Sequence, residues 1–202
     1  MLLFRSRSWW KVFLVAGTVG VSSVASPISF GIQGGMNFAD LSYSASRSTS
    51  TRSGFALGGH LEFSLLGIVY LQPELMYIQK GAVDVPTKDV IQLDYLEVPV
   101  LMKFKLGITP IHVELLGGPY LGFALSTKTA LATGGSSTLS DATGTDIGAI
   151  LGVGAELDIS DSTSLFANLR YSMGFTNTSD TAGLTRKNIG TLVLAGLRFE
   201  LL

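Results

Sequence analysis

His60 and His112 are the two histidines of the chain, and each stands two residues before a glutamate, Glu62 and Glu114 respectively. In a β-strand, residues i and i+2 point to the same face, so each pair would place an imidazole beside a carboxylate. Such groups can ligate a metal ion or relay a proton. The interpretation we favour is plainer: both pairs belong to a larger set of polar side chains that fill an interior.

That larger set contains most of the charged residues of the predicted strands. Because buried charges need partners, we expect a network that links the glutamates to Lys103, Arg170 and Arg198. The sequence assigns no catalytic, cofactor-binding or metal-binding residue and implies no cofactor, because nucleophile-elbow, zinc-protease and phosphate-loop motifs are absent. The predicted lumen polar network consists of His60, Glu62, Glu74, Glu97, Lys103, His112, Glu114, Glu156, Arg170 and Arg198.

Eight strands are needed to position these residues, and turn clusters and hydrophobic alternation delimit all of them. Most are longer than the roughly 9 to 11 residues that a tilted strand needs to cross a bilayer. The predicted strands are residues 28–38, 54–64, 68–80, 91–106, 111–125, 146–158, 164–175 and 188–201.

The face opposite the charges is apolar and carries no formal charge. In the last strand, Ile189, Val193, Leu197 and Phe199 lie on this face, whereas Arg198 lies on the other. Aromatic residues occur at both ends of the strands, as expected for two interfacial girdles. Phe38, Phe55, Tyr77, Phe123 and Phe175 would form one girdle, and Phe30, Phe63, Phe104 and Phe199 the other.

Connections between the predicted strands alternate between short and long. Residues 65–67, 107–110 and 159–163 are short turns, and residues 39–53, 81–90, 128–145 and 176–186 are longer. Short periplasmic turns and longer outer loops give this order, with both termini periplasmic. The long loops are rich in Ser and Thr, notably 42–51 and 133–138, and this composition indicates mobile, solvated surface. We therefore predict an all-β, eight-stranded antiparallel up-and-down transmembrane β-barrel.

Composition and the N-terminus agree with export to a membrane. The 202-residue chain has 14% charged residues, no cysteine and a formal net charge of −1, which gives no reason to expect nucleic acid as a partner. Its mean hydropathy is +0.42. A basic start, a short apolar run and Ser23-Val24-Ala25 predict a signal peptide over residues 1–25, with residues 26–202 forming the outer-membrane barrel domain. An uncleaved membrane anchor is the alternative, although the apolar run is short for a spanning helix.

Gln72-Pro73-Glu74-Leu75 and Leu96-Glu97-Val98-Pro99 are the two most specific phrases of the sequence. With them, the chain resembles the PorT-like outer-membrane β-barrel domain of small bacterial proteins. Less specific matches lie at residues 31–38, 117–122 and 169–175 and in the closing strand. The resemblance implies an outer-membrane location and an eight-stranded barrel similar to small OmpA-type barrels, and it implies little about activity.

The sequence thus favours a non-enzymatic, integral outer-membrane barrel with a filled lumen and a structural or surface-interaction role. Its expected partners are outer-membrane lipid, the barrel-assembly machinery during biogenesis, and an extracellular protein or surface ligand contacted through the loops. The alternatives are a narrow pore, a membrane-embedded lipid-modifying enzyme, which would need a Ser/His pair near the outer rim, and a soluble lipocalin-like carrier of an apolar ligand. The carrier would require the large apolar side chains to point inward.

Overall fold

The computed structural model describes residues 28–44, 48–138, 142–179 and 183–201. The predicted signal peptide, residues 1–25, lies outside the described residues. Nine strands occur in the described part of the chain, and eight of them are 12 to 20 residues long. Their bounds are β1 Ile28–Tyr43, β2 Thr49–Leu66, β3 Val69–Asp84, β4 Val90–Ile108, β5 Ile111–Ala130, β6 Ser136–Thr138, β7 Thr145–Ser160, β8 Thr163–Gly174 and β9 Arg186–Glu200.

The eight long strands form one closed antiparallel barrel. Each strand pairs with the next long strand along the chain, and β9 pairs with β1 to close the sheet. Two-residue connections join β2 to β3, β4 to β5 and β7 to β8, so the predicted short turns are confirmed. The all-β, eight-stranded up-and-down fold predicted from alternation is confirmed. In the described ranges there is no helix with the length and apolarity required to cross a bilayer.

The barrel wall exposes its apolar side chains and buries its polar ones. In β1, Phe30, Ile32 and Met36 are 39%, 48% and 45% exposed, whereas Gln33 and Asn37 are 2% and 0% exposed. The same alternation holds on the other strands, in the register that the sequence predicts. A one-residue slip would reverse the two faces, so the hydrophobic pattern is sufficient to fix which side of each strand meets lipid.

At the long-loop end, several strands run further than the sequence suggests. β1 continues to Tyr43 and β3 to Asp84, well past the aromatic residues Phe38 and Tyr77. β6, formed by Ser136–Thr138, pairs with the end of β5. The expectation that 42–51 and 133–138 are loop throughout was therefore wrong. Residues 49–51 pair with β3 and residues 136–138 with β5, and β-branched Thr favours such extended structure.

An apolar cluster supports this extension from inside. It consists of Leu41, Ala82, Ile91, Leu93 and Tyr95, all at most 3% exposed. These side chains face inward and contact one another across β1, β3 and β4. The outer part of the barrel is consequently packed like a small soluble core.

Three neighbouring ladders are interrupted near the middle of the barrel. The β2–β3, β3–β4 and β4–β5 ladders each lack two consecutive residue pairs, and the gaps lie at Pro73, Pro99 and Pro119. Proline has no N–H and cannot donate to a ladder, so the carbonyl opposite each proline receives no hydrogen bond from it. The β5–β7, β8–β9 and β9–β1 ladders run without such a gap.

Candidate functional site

The lumen contains three groups of polar side chains, which lie at successive heights along the axis. The inner cluster, nearest the short turns, consists of Glu62, Lys103, Lys105, Glu114, Glu156 and Arg198. The middle cluster consists of Gln33, Gln72, Glu74, Asn168 and Arg170. The outer cluster consists of Lys80, Tyr95, Glu97, Tyr120, Asp146 and Asn188.

In the inner cluster, each lysine bridges two carboxylates. Lys103 Nζ lies 2.8 Å from Glu62 and 3.1 Å from Glu114, and Lys105 Nζ lies 2.6 Å from Glu62 and 3.1 Å from Glu156. Arg198 Nη2 lies 2.8 Å from Glu156 and also donates to the Ser164 hydroxyl at 2.8 Å. β2, β4, β5, β7 and β9 are thereby tied together around the axis.

The middle cluster is centred on one ion pair that crosses the lumen. Arg170 Nη1 donates to Glu74 at 2.7 Å, and both side chains are at most 1% exposed. The other donors of the guanidinium meet Asn168 at 2.8 Å and Gln33 at 3.2 Å. Gln72 donates to the second carboxylate oxygen of Glu74 at 2.5 Å. The planar guanidinium suits this arrangement because its donors leave in several fixed directions.

Lys80 occupies the centre of the outer cluster. Its Nζ lies 2.5 Å from Glu97 and 3.3 Å from Asp146, and it stands 4.4 Å from the centre of the Tyr120 ring. Tyr120 donates to Asp146 at 3.0 Å, and Asn188 donates to the same carboxylate at 2.9 Å. Lys80 and Glu97 are 2% and 1% exposed, so this pair is fully removed from solvent.

The two histidines of the His-x-Glu pairs lie in different surroundings. His60 is 3% exposed, packs edge-on against Phe166 with ring centres 5.4 Å apart, and lies against Gly31. Neither of its ring nitrogens has a hydrogen-bond partner among the described residues. His112 lies at the short-turn mouth, where its Nδ1 is 3.7 Å from Asp158. Neither histidine pairs with the glutamate two residues after it.

Most of the predicted glutamates meet the predicted cations, but Glu97 does not. Its cation is Lys80, which is not a member of the predicted network. Lys105 and Asp146 also belong to the observed network and not to the predicted one. All three lie at inward positions of the alternation, so the signal that identified the other members also applies to them. The tyrosines Tyr95 and Tyr120 were likewise omitted, although both are inward by the same rule.

Apolar side chains fill the space between the polar clusters. One group joins Ala56, Met76, Ile78, Leu192 and Leu194, and another joins Leu101, Leu116, Tyr120 and Ile150. The largest fully buried side chains among the described residues, headed by Arg170, Tyr95 and Tyr120, all project into this lumen. An eight-stranded barrel has an interior just wide enough for such filling. Chemically, the arrangement holds charges in fixed pairs and places no serine–histidine pair within the described part of the lumen.

Comparison with known proteins identifies the family. The outer membrane protein beta-barrel domain family matches residues 20–180. The fold is similar to Neisserial surface protein A, with 17% identity, a TM-score of 0.57, and coverage of 85% of this chain and 97% of that one. It is also similar to a major outer membrane protein of Thermus thermophilus, with 14% identity, a TM-score of 0.52, and coverage of 86% and 99%.

A third solved structure, the N-terminal β-barrel domain of Pseudomonas aeruginosa OprF, has 12% identity, a TM-score of 0.51, and coverage of 87% of this chain and 98% of that one. Among curated protein sequences, none matches this chain. The family match spans most of the chain, and the apolar outer wall, the closed sheet and the polar lumen agree with it. The chain therefore belongs to the outer membrane protein beta-barrel domain family and is an integral protein of the bacterial outer membrane.

Proposed function

We propose that this protein is a sealed, non-enzymatic barrel that supports a rigid platform at the outer surface. The observation that carries the proposal is the filling of the lumen by paired charges and large side chains from the inner polar cluster to the outer apolar cluster. Such a lumen supplies stability without cysteines, since every strand is held both to its neighbours and to side chains across the axis.

The packed outer end supports a role in surface interaction. The apolar cluster around Leu93 holds the extended strands together beyond the aromatic level, so the connecting segments are carried on a folded base. Interaction with an extracellular protein or surface ligand would then occur at a preorganised surface, which lowers the entropic cost of binding.

The positions of the histidines argue against a lipid-modifying enzyme. Such chemistry at the outer rim needs a general base there, and both histidines of the chain lie elsewhere: His60 within the filled lumen and His112 at the short-turn mouth.

Within the family, we place the chain with PorT-like barrels on the phrases around Pro73 and Pro99. We also propose that residues 1–25 are removed on export, that residues 26–202 fold through the barrel-assembly machinery, and that both termini of the barrel face the periplasm.

Conductance in planar bilayers tests the sealed lumen. The purified protein should give no stable current steps, because Lys103, Arg170 and Lys80 obstruct the axis in the inner, middle and outer clusters. A matched variant, Tyr95→Ala with Tyr120→Ala, removes two of the largest buried side chains and should increase ion leakage. Reproducible current steps from the unmodified protein would contradict the sealed-lumen proposal and favour a narrow pore.

A further inference from the structure

The short-turn mouth of the lumen holds a polar cavity of about 300 Å³, open to the periplasmic side in barrels of this kind. His112 lies on β5, and Glu156 and Asp158 lie two residues apart on the neighbouring strand β7. His112 and Glu156 are directly opposite each other in the ladder. Because all three positions face inward, the strands themselves bring an imidazole and two carboxylates together.

Each of the three side chains offers one ligand atom to the cavity. These atoms all lie within 4.8 Å of one another. His112 Nδ1 is buried without a hydrogen-bond partner, and its 3.7 Å distance to Asp158 Oδ2 is too long for a hydrogen bond. Two ligands of one tetrahedral ion at about 2.1 Å would lie about 3.4 Å apart, which is close to the separation observed.

The remaining atoms of the two carboxylates are already held by other groups. Asp158 Oδ1 accepts from the Ser164 hydroxyl at 2.8 Å, which leaves Oδ2 on the side of His112. Glu156 Oε1 accepts from Arg198 Nε at 3.1 Å and Nη2 at 2.8 Å. Glu156 Oε1 also accepts from Lys105 Nζ at 3.2 Å. Glu156 Oε2 accepts no hydrogen bond and forms an ion pair with the same ammonium at 3.1 Å. Outer partners of this kind orient ligands in metal sites.

The local charge also favours a cation. Four carboxylates face three basic side chains in and beside the inner cluster: Glu62, Glu114, Glu156 and Asp158 against Lys103, Lys105 and Arg198. Glu200 adds another carboxylate to the cavity wall. A divalent ion would balance this excess of negative charge.

We propose that His112, Glu156 and Asp158 form a binding site for a divalent transition-metal ion such as Zn²⁺ at the periplasmic mouth. Imidazole nitrogen with carboxylate oxygen is a donor set that suits Zn²⁺, Co²⁺ and related ions better than Ca²⁺ or Mg²⁺. The cavity leaves the other coordination positions to water. Bound metal would fix β5 to β7 at the end of the barrel where a two-residue turn joins β7 to β8.

Titration with Co²⁺ and competition with Zn²⁺ test the site in the full, tag-free protein refolded in detergent. Visible absorbance should show one saturable Co²⁺ equivalent that Zn²⁺ displaces. Removing a group that only hydrogen-bonds to a metal ligand changes metal affinity about 10- to 100-fold. His112→Asn removes a ligand itself, so it should weaken Co²⁺ binding about 100-fold. Asp158→Asn should weaken it comparably.

His60→Asn is the matched control, because it removes the other histidine from a position inside the lumen. It should leave the Co²⁺ titration unchanged, and a heat-modifiability gel should show that each variant is folded. Imidazole NMR signals of the unmodified protein give a second measurement that needs no variant, since Zn²⁺ should shift the His112 resonances and not those of His60. Absence of saturable binding, or equal loss of binding in His60→Asn, would overturn the proposal.

Discussion

Replacing Leu151 by arginine tests the membrane-facing wall most directly. Leu151 is 59% exposed and lies on β7 between Ile147, near the outer aromatic level, and the turn that follows Ser160. An arginine there would enter the hydrocarbon region, whereas the same substitution at Ile159, which is 60% exposed, would not.

The expected difference follows from strand geometry. A strand rises about 3.3 Å per residue and is tilted by about 40°, so each residue advances about 2.5 Å along the membrane normal. Ile159 is eight residues from Leu151 in the sequence, which corresponds to a height difference of about 20 Å. The apolar band is about 25 Å tall, so a residue at its middle is about 12 Å from either edge. Leu151→Arg should therefore cost about 2 to 4 kcal/mol, and Ile159→Arg about 0 to 1 kcal/mol.

Reversible urea unfolding in lipid vesicles would measure both free energies of unfolding. Far-UV circular dichroism is the suitable signal, because both tryptophans, Trp9 and Trp10, lie within the predicted signal peptide. An intermediate value is expected for Ile147→Arg, which is about 10 Å above Leu151 by the same geometry. Equal free energies of unfolding for Leu151→Arg and Ile159→Arg would show that Leu151 does not face the hydrocarbon region.

Three other predictions concern the interior. Arg170→Met leaves the Glu74 carboxylate buried without its cation and should destabilise the barrel by about 3 to 5 kcal/mol. Urea unfolding should show that adding Glu74→Gln to this variant restores most of the lost stability. Leu93→Ala opens a cavity in the outer apolar cluster and should cost about 2 to 5 kcal/mol, with faster thermolysin cleavage at the outer end than in the unmodified protein. Gly35→Val should prevent closure between β1 and β9, because the added Cβ would overlap the carbonyl oxygen of Val193 on β9, and a heat-modifiability gel should show unfolded protein. The control variant Gly34→Ala should fold normally, because the nearest atom to its added Cβ is 3.4 Å away.

Alternation of residue type was sufficient to predict the barrel because a strand has only two faces. Once Phe30 and Ile32 are assigned to lipid, Gln33 and Asn37 must point inward, and no further information is needed. The same rule places Lys80, Lys105 and Asp146 inward. The predicted strands 68–80, 91–106 and 146–158 already contain these three residues, each at or next to a strand end, so their omission from the predicted network was not required by the sequence.

The pairing of charges could not be predicted from the sequence. Arg170 and Glu74 are 96 residues apart and meet across the lumen, so their contact depends on the stagger of the whole barrel. The apolar cluster at the outer end was hidden for a different reason. Leu41 falls within a Ser- and Thr-rich segment, and Ala82 within a segment that starts at Gly81 and contains Pro86, so both segments are typical of loops. Only the pairing of β1, β3 and β4 shows that these residues are enclosed.

The three prolines make the barrel mechanically unequal around its circumference. In a bilayer a missing backbone hydrogen bond has no water to replace it, so the sheet from β2 to β5 is held less firmly than the sheet from β7 through β9 to β1. Wall motions should consequently cost least on the proline side, and hydrogen exchange should be faster for amides there than for those around the chain-closing β9–β1 contact. The wall formed by β2 to β5 should therefore deform more easily than the wall formed by β7, β8, β9 and β1.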